Sequence, residues 1–204
     1  MPERINRKIE QGEATRGQLL AIAKRLFAQQ GYDGTSIETV LREANVSRGA
    51  LYHHFAGKEA LFTAVLEAVE ADVARVIAEA VAGLTDPVAA FRAGCDAWLR
   101  LARDPVVRQI ALIDAPAVVG WQQWRAIDER HAFGLLKGGL QAAAAAGRIR
   151  ADQVDILAHM LLAALAEVAL VVARAGDGAK AARGAQAAVR ELLDRLLGGS
   201  SVSR

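Results

Sequence analysis

Cysteine, proline and aromatic residues are all scarce in this chain, and each scarcity narrows the fold. A single cysteine, Cys95, in 204 residues excludes an internal disulfide, as expected of a chain that works in a reducing cytoplasm. Only four prolines leave long stretches in which a helix can run without interruption. Aromatics make up 5% while hydrophobic residues make up 53%, mostly Ala, Leu and Val, a balance that favours helices around a substantial core. The opening residues are polar and charged, so no secretory leader is expected. Catalytic constellations are missing too. There is no Gly-rich phosphate loop and no serine nucleophile elbow, and Asp128 three residues before His131 is too loose a pair for a metal site. No enzyme activity, cofactor or metal is expected.

A net charge of +2 is too small to argue for a polyanionic partner, but it is unevenly spread. Residues 1–58 hold nine Lys or Arg against six Asp or Glu, a local +3 that leaves −1 for the remainder. Inside this basic quarter lies TSIETVLREANVSRGALYHHF, residues 35–55. Thr35 and Glu38 have capping-box spacing, and Ile37, Val40, Leu41 and Ala44 form one apolar stripe of a short helix. Asn45 tolerates the left-handed conformation that ends a helix sharply, Val46 can plug the corner, and Ser47 can cap a second helix over 48–55. Helix, turn, capped helix is the pattern of a helix-turn-helix DNA reader, whose second helix enters the major groove.

The residues on either side extend the pattern. Leu26-Phe27 and Gly31-Tyr32 end a preceding helix, Thr35-Ser36-Ile37 opens the next, and Ser47 to Phe55 is followed by Lys58-Glu59-Ala60-Leu61. Over residues 15–66 this order and spacing resembles the DNA-binding domain of TetR-type transcriptional repressors. Asn45 departs from it where Gly is more usual. The resemblance implies that Tyr52 and His53 contact phosphates on either side of the groove, as do Thr35 and Lys58. The local chemistry adds that Ser47, at a helix N-terminus, suits a phosphate, and Ser36 lies beside Thr35 at the preceding cap. Arg48 and Gly49 are the best placed to reach base edges, with Gly49 and Ala50 small enough for close backbone approach. Leu51, Phe55 and Tyr32 are expected as packing residues.

Residues 1–13 lack an apolar period and are expected as a flexible basic arm, in which Arg4, Arg7 and Lys8 either touch DNA or stay solvated. Thr15 can cap the first helix, with Leu19, Ile22, Ala23, Leu26 and Phe27 buried. A linking helix is expected over 58–82. Asp86-Pro87 and Asp104-Pro105 bracket a helix on which Phe91, Cys95 and Trp98 share a face. One long helix is expected over 121–146, in which Gly138 and Gly139 cost about 1 kcal/mol each unless a close helix approach offsets it. The run Asp114-Ala115-Pro116 with Gly120-Trp121 and Trp124 to Asp128 resembles the ligand-domain centre of one branch of the same family. Asp152 can cap a nearly all-apolar helix to about 174. That helix approaches the length of a membrane span, but His159 and Glu167 inside it favour a helix buried in a core and against a partner. A last helix carries Val189, Leu192, Leu193, Leu196 and Leu197 before a tail at 199–204 expected to be disordered.

The expected architecture is all-α, with an N-terminal three-helix helix-turn-helix domain at 14–57 and a helical ligand-binding and dimerisation domain at 58–198. Two apolar helices across 153–197 suggest a homodimer interface, which the resemblance also implies. Phe91, Cys95, Trp98, Trp124, His131, Phe133, Met160 and Glu167 are candidates for an effector pocket, each with core packing as the plainer alternative. If Glu167 faces the pocket, a cationic or hydrogen-bond-donating ligand is favoured. The functional expectation is a cytoplasmic homodimer that binds double-stranded DNA at an inverted-repeat operator and is released by a small, largely hydrophobic effector, without a membrane partner. An activator or ligand-independent regulator with the same reader is one alternative. A helical ligand-binding protein or enzyme without DNA binding is another.

Overall fold

A computed structural model describes residues 2–175 and 178–198 of the chain, and among these every regular element is helical. The tail expected at 199–204 lies outside the described residues, as do the side chains of Arg4, Arg7 and Lys8. The first helix, α1, spans Pro2–Gly34 and takes in the segment expected as an arm. A proline in the first turn followed by Arg, Lys, Glu, Gln and Ile is a run of good helix formers, and helix does not require an apolar period. Thr15 therefore caps nothing. It lies inside α1 and its hydroxyl donates to the Gln11 carbonyl at 2.8 Å. The helix breaks at Gly31 (φ 70°, ψ 175°), a conformation that suits glycine.

Three further helices follow: α2 (Ile37–Ala44), α3 (Arg48–His54) and the long α4 (Lys58–Val81). Leu19, Leu26 and Phe27 of α1, Val40 and Ala44 of α2, Leu51 of α3 and Leu61 to Val69 of α4 meet in a first core. That core continues past residue 57, taking in Val73 and Ile77 further along α4 and Ile110 and Ala115.

Helix α5 (Pro87–Leu101) starts as expected, with the Asp86 carboxylate accepting from the Ala89 N–H at 2.9 Å. After Pro105 the chain forms a π-helical segment, Val107–Asp114, and a short α6 (Ala115–Val118). The single helix expected over 121–146 is two, α7 (Trp121–Arg130) and α8 (Ala132–Ala145), separated at His131 (φ −119°, ψ −101°). The break has a packing cause. Ile127 belongs to the first core, whereas Phe133 and Leu140 belong to a second core with Phe91, Cys95 and Leu99. His131, between them, is held by Glu67 of α4 at 2.8 Å.

Asp152 is not a side-chain cap either. It sits in a 3₁₀ turn, Ala151–Gln153, paired with Arg150 at 2.6 Å, and α9 (Val154–Arg174) begins after it. Helix α10 (Gly178–Gly198) completes the second core with Val189, Leu193 and Leu197. Residues Ala151–Val172 are long and apolar enough to cross a membrane, with mean hydropathy 2.0. Ala158, Leu161, Leu165 and Ala169 nevertheless face the second core or its edge, while Ile156, Met160 and Val171 on the other side are exposed.

Candidate nucleic-acid interface and effector cavity

The short helices α2 and α3 are held by their caps. The α2 cap is Ser36, one residue later than expected: its hydroxyl oxygen accepts from the Thr39 N–H at 3.0 Å. Thr35 is 1% exposed and its hydroxyl donates to the Gly31 carbonyl at 2.9 Å, so it ties down the turn and presents no free hydroxyl outward. Asn45 takes the left-handed conformation (φ 51°, ψ 43°), with its N–H directed to the Arg42 carbonyl and that of Val46 to the Leu41 carbonyl. The Ser47 hydroxyl oxygen then accepts from the Ala50 N–H at 3.2 Å. Each such cap stabilises its helix by about 1 kcal/mol.

Helix α3 buries Leu51, and Phe55 just after it, and turns the rest outward. Ser47, Arg48, Gly49 and His53 are exposed, Tyr52 is 47% exposed, and Ala50 is half-buried. Among the described residues nothing requires Gly49 to lack a side chain, since a Cβ there would meet only the Ser47 hydroxyl at 4.0 Å. Its smallness instead clears the outer surface. The Arg48 guanidinium donates back to Glu38 of α2 at 2.6 Å. The hydrogen bond from Glu38's own N–H, followed by that from Arg48, holds the Glu38 carboxyl below its usual range. Lys58 is half-buried, with its ammonium 4.0 Å above the Tyr32 ring. Tyr32 in turn packs edge-on against Phe62 at 5.2 Å, the packing role expected of it.

A second feature is a cavity of about 300 Å³ bounded by α4, α5, α8 and α9 and open on one side. Phe91, Cys95 and Trp98, which share one face of α5, line it. The other candidates lie elsewhere. Trp124 flanks the first core with its indole Nε1 buried and unbonded, and His131 is bound to Glu67. Phe133 is buried in the second core, 4.8 Å from the His159 ring. Met160 is 61% exposed and Glu167 is exposed as well, for they share the outer face of α9, opposite Leu162 and Leu165. Residues missed by sequence reasoning also line it, among them Ile77 and Val81 of α4 and Leu135, Gly138 and Gly139 of α8. Burial, with Asp96 adjacent, pushes the Cys95 thiol up to about 12, so it is an uncharged wall.

Two family models match the chain. The model for the tetracyclin repressor-like C-terminal domain matches residues 88–196, and that for bacterial regulatory proteins of the tetR family matches residues 19–65. The chain belongs to the TetR family. The crystal structure of a TetR-family transcriptional regulator from Pectobacterium atrosepticum agrees over the whole fold, with TM-score 0.77 and 31% identity, covering 93% of this chain and 97% of that one. RolR, solved with resorcinol bound, has TM-score 0.70 at 21% identity over 95% and 92% of the two chains, a likeness of fold alone. Among curated relatives, the regulator AcrR of Shigella flexneri is 36% identical over 84 residues, 41% of this chain and 39% of AcrR. The repressor AcnR of Corynebacterium diphtheriae is 41% identical over 64 residues, 31% of this chain and 34% of AcnR. The matched stretches thus span between a third and two fifths of these relatives.

In this TetR-family chain the reader is fastened to the body at a joint that sequence reasoning did not anticipate. The break at Gly31 frees the Tyr32 N–H, which donates to Asp114 of the π-helical segment at 2.8 Å. Gln109 donates to the other Asp114 oxygen at 3.0 Å. Burial raises the Asp114 carboxyl's pKa despite these two hydrogen bonds. Further along α4 is a group of acids facing α7. Glu70 is 6% exposed, and burial, followed by the charges of Asp128 and Glu67, pushes it up to about 8. Asp128 is pushed up to about 6, chiefly by burial, with Arg125 at 3.4 Å opposing the shift. Burial also disfavours the charge on Glu67, but hydrogen bonds from His131 and Arg130 outweigh it and hold that carboxyl below its usual range.

Proposed function

We propose that this chain is a cytoplasmic homodimeric repressor that binds an inverted-repeat operator and releases it when a small, largely hydrophobic effector occupies the C-terminal cavity. The observation that carries the reading is the outward face of α3, where Ser47, Arg48, Gly49, Tyr52 and His53 stand together on a helix anchored by buried Leu51. Arg48 and Gly49 at its start read base edges, and Ala50 permits close approach. Tyr52, His53, Ser47, Ser36 and Lys58 contact phosphates. Thr35 supports the turn beneath them. A reader this short needs a second copy at fixed spacing. The exposed apolar side of α9, with Ile156, Met160 and Val171, and Leu192 of α10 supports pairing of two chains as a four-helix bundle. Helix α4 carries the signal, because it begins with Lys58 beside the reader and ends with Ile77 and Val81 in the cavity wall. An effector shifts the balance only by binding one α4 position more tightly than the other.

The test begins with duplexes selected from a random pool by the full-length protein, with affinity followed by fluorescence anisotropy across salt concentrations. Binding to a two-fold symmetric site is expected, with log K falling linearly against log salt. Lys58→Ala should weaken binding to every duplex and lower that slope by about one, whereas Arg48→Ala should relax base preference at one or two positions. An unchanged slope for Lys58→Ala removes it from the phosphate contacts. Failure to enrich any duplex overturns the proposal.

A further inference from the structure

We propose that the cavity takes an uncharged, apolar ligand of limited length, and that Gly138 at its mouth sets the limit; this rests on the effector reading above. Among the described residues that line it, only Cys95 and Trp98 carry polar side-chain atoms, and neither is charged. The acid and the base considered as anchors for an ion both lie elsewhere, Glu167 on the outer face of α9 and His131 on Glu67. A charged ligand would therefore lose its hydration with no counter-charge in return. An apolar one loses little and gains contact with Phe91, Leu162 and Leu165.

Size selects among apolar occupants. A cavity of about 300 Å³ is roughly twice the ~150 Å³ that accommodates benzene, which suits a bicyclic ring or a medium-length chain. The deep wall is full: a Cβ on Gly139 would stand 2.5 Å from the Phe91 ring. Gly138 differs. It lines the space, is exposed, and a Cβ there would meet nothing within 4 Å. With exposed Gly134 and Ala142 one turn to either side, it leaves the mouth unobstructed along α8. A larger residue at 138 shortens the room available without disturbing the packing.

The experiment is calorimetric titration of the full-length protein with primary alcohols of six to ten carbons and with alkylammonium ions and carboxylates of matching length. Displacement of the selected duplex is followed in parallel. Alcohol affinity should rise about fourfold per methylene until the cavity is full. Charged congeners should bind at least a hundredfold more weakly. Gly138→Leu should lose tenfold or more for decanol and much less for hexanol, and Gly138→Ala should fall between, with a melting temperature no lower than the parent's confirming the fold of both. The ligand class is overturned if a charged congener binds within a few fold of its alcohol, if affinity is flat with length, or if no alcohol binds. Equal binding of all alcohols by Gly138→Leu overturns the role of that residue. Alcohols that bind in the expected order without displacing DNA uphold the ligand class and refute the effector reading.

Discussion

Glu70 gives the most exacting test of the interior. It is nearly fully buried on α4, where burial and then the charges of Asp128 and Glu67 raise its carboxyl from 4.5 to about 8. Between those two values the folded chain holds a proton that the unfolded chain has released, so stability falls as pH rises and levels off above pH 8. Each pH unit in that window removes at most about 1.4 kcal/mol, and integrating to pH 7 gives a loss of roughly 3 kcal/mol at most. Glu70→Gln keeps the shape and cannot ionise. It should come within about 1 kcal/mol of the parent protein near pH 5 and exceed its stability by up to about 3 kcal/mol at pH 7 and by up to roughly 5 kcal/mol above pH 8. Asp128, raised to about 6 with Arg125 opposing, leaves the variant a residual slope of the same sign. Urea denaturation at pH 5, 6, 7 and 8.5, at one fixed protein concentration, measures the difference. If Glu70→Gln is less stable than the parent at pH 8.5, the carboxylate serves a partner and the reasoning fails.

Two further predictions concern packing. Asp114→Ala strands the Tyr32 N–H and Gln109 amide and should cost about 2 kcal/mol in urea denaturation, while Asp114→Asn, whose amide oxygen still accepts from Tyr32, should cost less. Equal losses for the two would show that the hydrogen bonds themselves contribute nothing. The adjacent glycines of α8 should respond with opposite signs. Gly139→Ala drives a methyl into the Phe91 ring and should destabilise by about 1 to 2 kcal/mol, whereas Gly138→Ala meets open space and should gain up to about 1 kcal/mol in helix propensity. Melting temperatures of the two variants decide the matter, and a shared sign would contradict the packing described.

The DNA reader was legible because its signals are local. A left-handed Asn45, a cap at Ser47 and an apolar stripe through Val40 and Ala44 depend on neighbours a few residues away. Even there, two adjacent hydroxyls could not be told apart. Which of Thr35 and Ser36 caps α2 is settled by Gly31, whose carbonyl takes the Thr35 hydroxyl from a preceding turn. The first residues were misjudged because a charged stretch without apolar spacing resembles coil, though its helix propensity is high. The cavity was half legible. Phe91, Cys95 and Trp98 share a face of one helix, so finding one on the wall implied the others. Met160 and Glu167 could be assigned only by knowing which side of α9 meets α5 and α8, which spacing within α9 does not reveal. The break at His131 and the joint at Asp114 depend on partners more than sixty residues away.

Those distant partners constrain how the proposed repressor can be switched. The reader is attached to the body through α4, through apolar packing on Val107 and Ile110, and through the Asp114 hydrogen bond to Tyr32. A ligand burying eight methylenes gains about 6 kcal/mol at most. Shifting the operator-binding equilibrium a hundredfold requires about 2.7 kcal/mol of difference between the two states. Breaking the Asp114 joint as well would add roughly 2 kcal/mol, leaving little to hold the ligand. The less costly motion keeps that hydrogen bond intact. The π-helical segment contributes Val107 and Ile110 to the core built by α1 and α4, so these three elements are suited to move as one body when Ile77 and Val81 are displaced. On this argument the reader is tilted by α4 and remains docked on Asp114, and the polar joint, missed from sequence, makes a small apolar ligand sufficient.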